Sequence, residues 1–389
     1  MTNPQREFPG RQPILDKRER LFGYRLRGLS LEAGEPERHL GPRGLPDLTL
    51  FVDVAPGEFD HPALARLEAP RHVAMAHGTL DDAADFTRRA GAVRRRSMRV
   101  GVTDAAPGSP WLGQLGNVSF ARVDVSRLPH SHLARYAAGL KRLGPKLIAG
   151  GLHDRAGFKA ALDAGFDFFE GYWFLHPETG ESRSVAPVYG TVLRTLSLVR
   201  AEAALPQIER AILSDPTLAF KLLRYVNSAA FGLRTEIHTP KDAMNMLGYR
   251  PMARWLGLAL VTAQVDAGVN ASLSATAIVR GRMMESLRAG PHDAGDPGDA
   301  FMVGLFSVMD ALFDMPMERV VETLSPPADV ASALLQREGP YGPLLRLVQS
   351  CEDATPERTA ALAADAGVDA GTLSAAHLQA LAWQTRLAS

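Results

Sequence analysis

Several stretches of this chain hold residue types that can do chemistry, and their spacing decides against most of them. Residues 139–146 (GLKRLGPK) have the glycines and lysine of a phosphate-cradling loop. Pro145 interrupts the run, however, and no Ser or Thr follows Lys146 to reach a metal ion. His72 and His77 stand five apart and His130 and His132 two apart, so neither gives the i, i+4 geometry of a helical metal pair. They read as satisfied surface histidines. No G-x-S-x-G is present to carry a serine nucleophile. Arg88, Arg89, Arg94, Arg95, Arg96 and Arg99 form the densest basic run, which suits the phosphates of a nucleic acid. Asp81, Asp82 and Asp85 partly balance it, and no aromatic residues interleave for base stacking. It reads as a solvated helix-to-strand junction, and nucleic acid is not favoured.

The whole chain narrows the classes further. Its 389 residues suffice for two domains, each with its own core. Acidic and basic residues balance at 43 each, so no global charge calls for a polyanionic partner. The single cysteine, Cys351, excludes an intramolecular disulfide and any multi-cysteine metal site, and fits a reducing cytoplasm. Residues 1–20 are dense in charge and lack the apolar core of a signal peptide. No run approaches the ~18 apolar residues of a membrane span.

The elements that would position a site are most legible over residues 204–249. Pro206 opens a helix with Ile208, Ile212 and Leu213 as its apolar stripe. Asp215 stands as an N-cap with Pro216 at the first helical position, and Leu218, Leu222 and Val226 follow four apart. Thr239, Pro240 and Asp242 repeat the cap, and Gly248 is placed to end the helix in a left-handed conformation. This order, with Asn227-Ser228-Ala229-Ala230-Phe231-Gly232 between, closely resembles the opening of an HDOD domain. Those are all-helical relatives of the HD phosphohydrolases that lack the metal-binding His-Asp pair, and the resemblance covers most of residues 190–350. Asn227, Ser228, Ala229, Phe231, Gly232 and Gly248 are its signature, read as mainly structural: small residues allow close helix approach, and Gly232 a tight turn.

Ahead of it, residues 13–16 and 21–26 suggest a hairpin, and 48–54, 118–125 and 147–151 read as buried strands, the last followed by a helix over 154–164. Strands alternating with helices predict an α/β domain with a largely parallel sheet. Leu147-Ile148-Ala149-Gly150-Gly151-Leu152 and Phe166-Asp167-Phe168-Phe169-Glu170-Gly171-Tyr172-Trp173-Phe174 look like the last two strands of an EAL domain, a TIM-barrel-like phosphodiesterase fold acting on cyclic di-GMP. Gly23-Tyr24-Arg25-Leu26 falls where that family has its name-giving motif. The expected fold is therefore two domains: an α/β TIM-barrel-like, degenerate and trimmed EAL domain, followed by an all-α HDOD domain. The expected boundaries are a disordered lead-in over 1–12, the barrel over 13–180, a linker over 181–190, and the helical domain with its tail over 191–389. Roughly 170 residues are available to the barrel against ~250 for a typical one, so helices are expected to be missing between residues 30 and 110. In the tail, Leu373, His377, Leu378 and Leu381 are placed to pack on a neighbour or a partner.

The resemblance implies metal-assisted hydrolysis, which needs several carboxylates around two divalent ions. The chain departs from that set. The metal-binding Glu of the first motif is Arg25, the phosphate-contacting Arg four residues on is Leu29, and the acids of A-E-G-V-E-T are replaced in Ala149-Gly150-Gly151-Leu152-His153-Asp154. Glu170 stands for a Gln, Arg122 for a Lys, and only Asp104 and Asp124 remain as lone acids. In the helical domain the His-Asp slot is Phe306-Ser307, with Asp310 one turn later expected as a helix-surface residue. These departures support a non-enzymatic signal-transduction adaptor linked to cyclic di-GMP, with no metal or cofactor, cytoplasmic, acting through protein partners and by resemblance as a homodimer. Two alternatives stay open. One is a receptor for cyclic di-GMP or another nucleotide at a rearranged pocket of Arg25, Arg27, Arg122 and Glu170. The other is a weak residual phosphodiesterase that would need Asp104 or Asp124.

Overall fold

A computed structural model describes residues 10–27, 49–62, 64, 72–176, 186–228, 231, 235–263, 269–288, 295–353 and 355–388. They fall into two compact units, one of residues 1–176 with 347–389 and the other of residues 177–346.

The first unit is a closed barrel of eight strands in sequential order: β1 (Gly10–Asp16), β2 (Leu21–Arg27), β3 (Thr49–Val54), β4 (His72–Ala76), β5 (Arg99–Val102), β6 (Phe120–Asp124), β7 (Lys146–Leu152) and β8 (Phe168–Gly171). The expected hairpin is β1 and β2, with β1 starting at Gly10, inside the stretch expected to be disordered. β1 runs antiparallel to both β2 and β8, and every other neighbouring pair is parallel. The crossovers carry α1 (Ala83–Arg95), α2 (His130–Lys141) and α3 (Arg155–Asp163), whereas β5 reaches β6 through a 3₁₀ helix, Pro110–Asn117. α1 and β5 form the helix-to-strand junction foreseen for the arginine run, and Arg88 and Arg89 pair with Asp85 there.

Ile14, Phe51, Val73, Met75, Phe120 and Ile148 fill the lower barrel, with Phe22 and Phe168 packed against them. Branched and aromatic residues at alternate strand positions produce this layer, because side chains two apart share a face. The register between β1 and β2 slips once: Ile14 lies opposite Gly23 while Leu15 lies opposite Leu21, leaving Phe22 as an extra residue. That bulge shifts the alternation of β2, so Phe22 packs inside and Arg25 also reaches the interior. His72 of β4 is buried, not superficial as its spacing suggested, because all five residues of that short strand are enclosed.

The tail belongs to this unit as α14 (Gly342–Asp353, from Leu347 on), α15 (Pro356–Asp365) and α16 (Ala370–Ala388), numbering helices in chain order. Leu373, His377, Leu378 and Leu381 are buried within the chain, so they are not a free docking stripe.

The second unit holds ten helices from α4 (Gly190–Arg200) to α13 (Ala328–Leu335) among the described residues. Asp215 accepts from the backbone N–H of Thr217 and Leu218, and Thr239 Oγ1 from that of Asp242, as their sequence positions predicted. Gly248 does have positive φ, 72°, but its ψ of 179° is extended rather than left-handed helical. It turns the chain directly from α7 (Pro240–Leu247) into α8 (Tyr249–Val261). At the centre, a Cβ on Gly304 of α10 (Pro297–Phe306) would fall 2.4 Å from the backbone nitrogen of Gly281 in α9 (Val269–Leu287). These two helices meet backbone to backbone, which only glycines permit.

Candidate functional site

Above the apolar layer the barrel interior turns charged. Arg25 on β2 donates from Nε and Nη2 to the two oxygens of Asp53 on β3, both at 2.8 Å. Its Nη1 donates to Glu170 Oε1 on β8 at 3.2 Å. From β6, Arg122 Nε donates to both Glu170 oxygens at 2.9 Å. A chain of guanidinium and carboxylate groups thus spans the barrel, fixed by strands whose sequence positions are far apart. Glu170 is 1% exposed. Burial raises its proton affinity, but Arg122 and Arg25 outweigh that and hold the carboxyl below its ordinary value. Burial pushes the Arg25 guanidinium down, and Asp53 and Glu170 outweigh it and hold it above its usual range.

Arg27, two residues further along β2, lies in the field of this cluster without an ion-pair or hydrogen-bond partner among the described residues. Its Nε is enclosed and unbonded. Burial first, and then Arg25, push its guanidinium below the ordinary value. Arg25, Arg27 and Arg122 carry three positive charges against the two negative charges of Asp53 and Glu170. Gly150 makes room for the arrangement: a Cβ there would fall 2.3 Å from Arg122 Cζ.

The structure thus brings Arg25, Arg27, Arg122 and Glu170 together, and adds Asp53, which the sequence reading missed. A lone acid at the same strand parity as the inward Phe51 was the available signal. Asp104 and Asp124 do not join the cluster through any hydrogen bond or ion pair among the described residues. Asp104 is exposed and its backbone carbonyl accepts from Ser109. Asp124 caps the short turn Val125–Arg127, accepting from Ser126 N and Oγ.

A second buried cluster braces the strand beside this mouth. Arg11 Nε donates to the Tyr172 hydroxyl at 3.0 Å, and its Nη2 pairs with Glu352 of α14 at 3.2 Å. Gln12 Nε2 donates to the Glu352 carbonyl. Neither Arg11 nor Glu352 carries a local sequence signal, since the partners are 341 residues apart.

The donors of the barrel centre do not fit a pair of divalent cations. Both Asp53 oxygens and both Glu170 oxygens already accept from guanidinium groups, and a guanidinium repels a metal ion. Among the described residues no three His, Cys, Asp or Glu side chains converge elsewhere.

In the helical unit, the Asn227 side chain donates to the Ile237 carbonyl and accepts from its N–H, closing a loop. Ser228 donates its backbone N–H to the Tyr225 carbonyl, and Phe231 stacks edge-on against Tyr225. Ala229 and Gly232 lie outside the described residues.

Comparison with known proteins assigns this region. Residues 185–307 match the HDOD domain. Across nearly the whole chain, the cyclic di-GMP phosphodiesterase CdgJ of Vibrio cholerae is 26% identical over 368 residues, which is 89% of this chain and 85% of that protein. Among solved structures, an EAL domain protein of Listeria monocytogenes aligns with a TM-score of 0.35 and 13% identity, covering 44% of this chain and 89% of that one. The YkuI protein of Bacillus subtilis, with an EAL domain and in complex with substrate cyclic di-GMP and calcium, aligns at 0.36 and 17%, covering 64% and 75%. The HDOD half of the tandem suspected from the sequence stands, and an eight-stranded barrel precedes it in the chain.

Within the HDOD domain, Ser307 of the Phe306-Ser307 slot receives a hydrogen bond from the buried Arg280. Asp310 is not the surface residue expected; burial raises its proton affinity. No helix among the described residues is long and apolar enough to cross a membrane.

The likeness to CdgJ overturns the expectation of a non-enzymatic adaptor and of a chain that is no enzyme. That expectation equated loss of carboxylates at Arg25 and Gly150 with loss of function. Phosphate charge can also be met by guanidinium groups, which this barrel concentrates at its centre.

Proposed function

We propose that this chain is a cyclic di-GMP phosphodiesterase whose barrel takes the cyclic dinucleotide at the C-terminal ends of its parallel strands. The observation that carries this reading is the 26% identity to a cyclic di-GMP phosphodiesterase along 89% of the chain. The position of the charged layer supports it. Arg25, Asp53 and Glu170 lie toward the strand ends where barrel enzymes keep their chemistry. Three guanidinium groups against two carboxylates suit an anionic diester.

In this reading Arg25 is a positioning residue: held by Asp53 and Glu170, it sets the shape of the centre. Arg122 and Arg27 face the phosphodiester and neutralise its non-bridging oxygens as charge develops. The oxygen of a water bonds to phosphorus, and the bond from phosphorus to one ribose oxygen breaks. That oxygen leaves as a hydroxyl with the proton the water gives up, so the ring opens to the linear dinucleotide. Because the donors present do not fit a metal pair, no step is assigned to one.

The finer architecture belongs to the same proposal. The barrel is trimmed relative to a complete one, supported by the 3₁₀ crossover Pro110–Asn117 in place of an α-helix. The cytoplasmic placement rests on the lone, buried Cys351. Protein partners for the HDOD domain and pairing of two barrels are carried by family resemblance.

The test is direct. Protein in excess over cyclic di-GMP should yield the linear dinucleotide, and an Arg122→Met variant that keeps its fold should yield far less. Absence of product from the native chain would refute the reading.

A further inference from the structure

We infer that the phosphate site of this barrel is metal-independent, with the guanidinium groups of Arg27 and Arg122 taking the charge that divalent cations would otherwise take. The inference deepens the proposed function, since it rests on the mouth being the substrate site, and it concerns how that site recognises phosphate.

Three observations carry it. First, the carboxylates that would hold a cation are occupied: Asp53 accepts twice from Arg25, and Glu170 accepts from Arg122 and Arg25. A cation entering there must first displace a guanidinium from a buried ion pair. Second, Arg122 uses only its Nε on Glu170, and its two Nη groups have no partner among the described residues. Arg27, close enough to feel the same charges, has an enclosed Nε with no partner. Third, the cluster has one positive charge in excess. A partly buried guanidinium without a counterion is unfavourable, and an anion seated between Arg27 and Arg122 relieves it. A phosphate presents oxygen atoms at the spacing a guanidinium fork matches. Gly150 keeps the space over Arg122 free of a side chain, since a Cβ there would meet its Cζ at 2.3 Å.

The experiment uses the full chain, with inorganic phosphate and cyclic di-GMP as separate probes, in EDTA and in magnesium. Thermal melting and calorimetry are read for the native chain, Arg27→Gln and Arg27→Lys. Arg27 makes no pair in the fold, so Arg27→Gln should fold with a melting temperature no lower than the native chain. Both probes should bind in EDTA, with affinities unchanged by magnesium within about twofold. Arg27→Gln should weaken them about tenfold or more, and Arg27→Lys should restore part of the loss. Binding only in magnesium would overturn the inference and leave the phosphodiesterase reading intact. Phosphate binding in EDTA without any binding of cyclic di-GMP would uphold the inference and overturn the phosphodiesterase reading. Native affinity in Arg27→Gln, or no binding of either probe under any condition, would overturn the inference.

Discussion

Arg122 occupies the space that any side chain at position 150 would need: a Cβ on Gly150 would lie 2.3 Å from its Cζ and 2.5 Å from its Nε. The two positions are diagonal neighbours on adjacent strands β6 and β7, where Arg122 is opposite Ile148 and Asp124 opposite Gly150. The arginine and the glycine are therefore a matched pair. Pinned to Glu170 through Nε, the guanidinium cannot swing away without breaking a buried contact.

Gly150→Ala should accordingly destabilise the barrel by roughly 1–3 kcal/mol, the range for overpacking a core. Combined with Arg122→Ala, the added methyl should cost much less, giving a coupling of at least about 1 kcal/mol in a double-mutant cycle of urea denaturation. Additive effects would mean that the two residues do not compete for space.

Arg25→Met should be among the most damaging single changes in the barrel. It leaves Asp53 without its bidentate partner and removes one of the two arginines on Glu170. Breaking a buried pair from one side costs about 3–5 kcal/mol, and with side chains at 9% and 11% exposure solvent offers little screening. Arg25→Lys should recover only part of this, because an ammonium cannot make both bonds to Asp53. Equilibrium denaturation decides; a loss below about 1 kcal/mol for Arg25→Met would contradict the network.

Acid should weaken the barrel, at this centre and at Asp167. The folded state holds Glu170 below its ordinary value, and Asp167 likewise, where the Leu147 N–H and Lys141 outweigh the effect of burial. A depressed carboxylate contributes stability that is fully present above the unfolded value, near 4.3 for Glu. The contribution is lost as pH falls through the lower folded value. Urea midpoints should be flat from about pH 7 to pH 5 and fall below that. Glu170→Gln, which cannot titrate, should fall less steeply; an identical slope would remove Glu170 from the account.

In the HDOD domain, Asn227→Ala removes both bonds to Ile237 and should destabilise that domain by about 1–3 kcal/mol. Asn227→Asp should retain only the bond from the Ile237 N–H. Hydrogen exchange at Ile237 reports the loop directly, and protection unchanged in the alanine variant would show that the loop is closed by other contacts.

Local signals in this sequence proved the clearest. Asp215 before Pro216 and Thr239 before Pro240 cap helices where expected, because a cap depends on residues three positions away or fewer. β4 and β5 were missed, since HVAMA is enclosed along its whole length and shows no alternation, and RVGV follows a run of arginines. Arg25, Arg27, Arg122 and Glu170 were legible through family motifs. Their meaning was not, because it depends on Asp53, 28 residues from Arg25, and on a bulge at Phe22 that no local pattern announces. The brace of Arg11 and Glu352 is a property of barrel closure and of the tail's packing, which sequence spacing does not encode.

The central claim is turnover, and one measurement addresses it most directly: formation of linear dinucleotide from cyclic di-GMP by an excess of the full chain, followed by chromatography over time. The account predicts first-order product formation by the native chain, a loss of at least about tenfold in a folded Arg122→Met variant, and a parallel loss in Arg27→Gln. Substrate recovered intact after prolonged incubation with native protein, in EDTA and in magnesium alike, would contradict it.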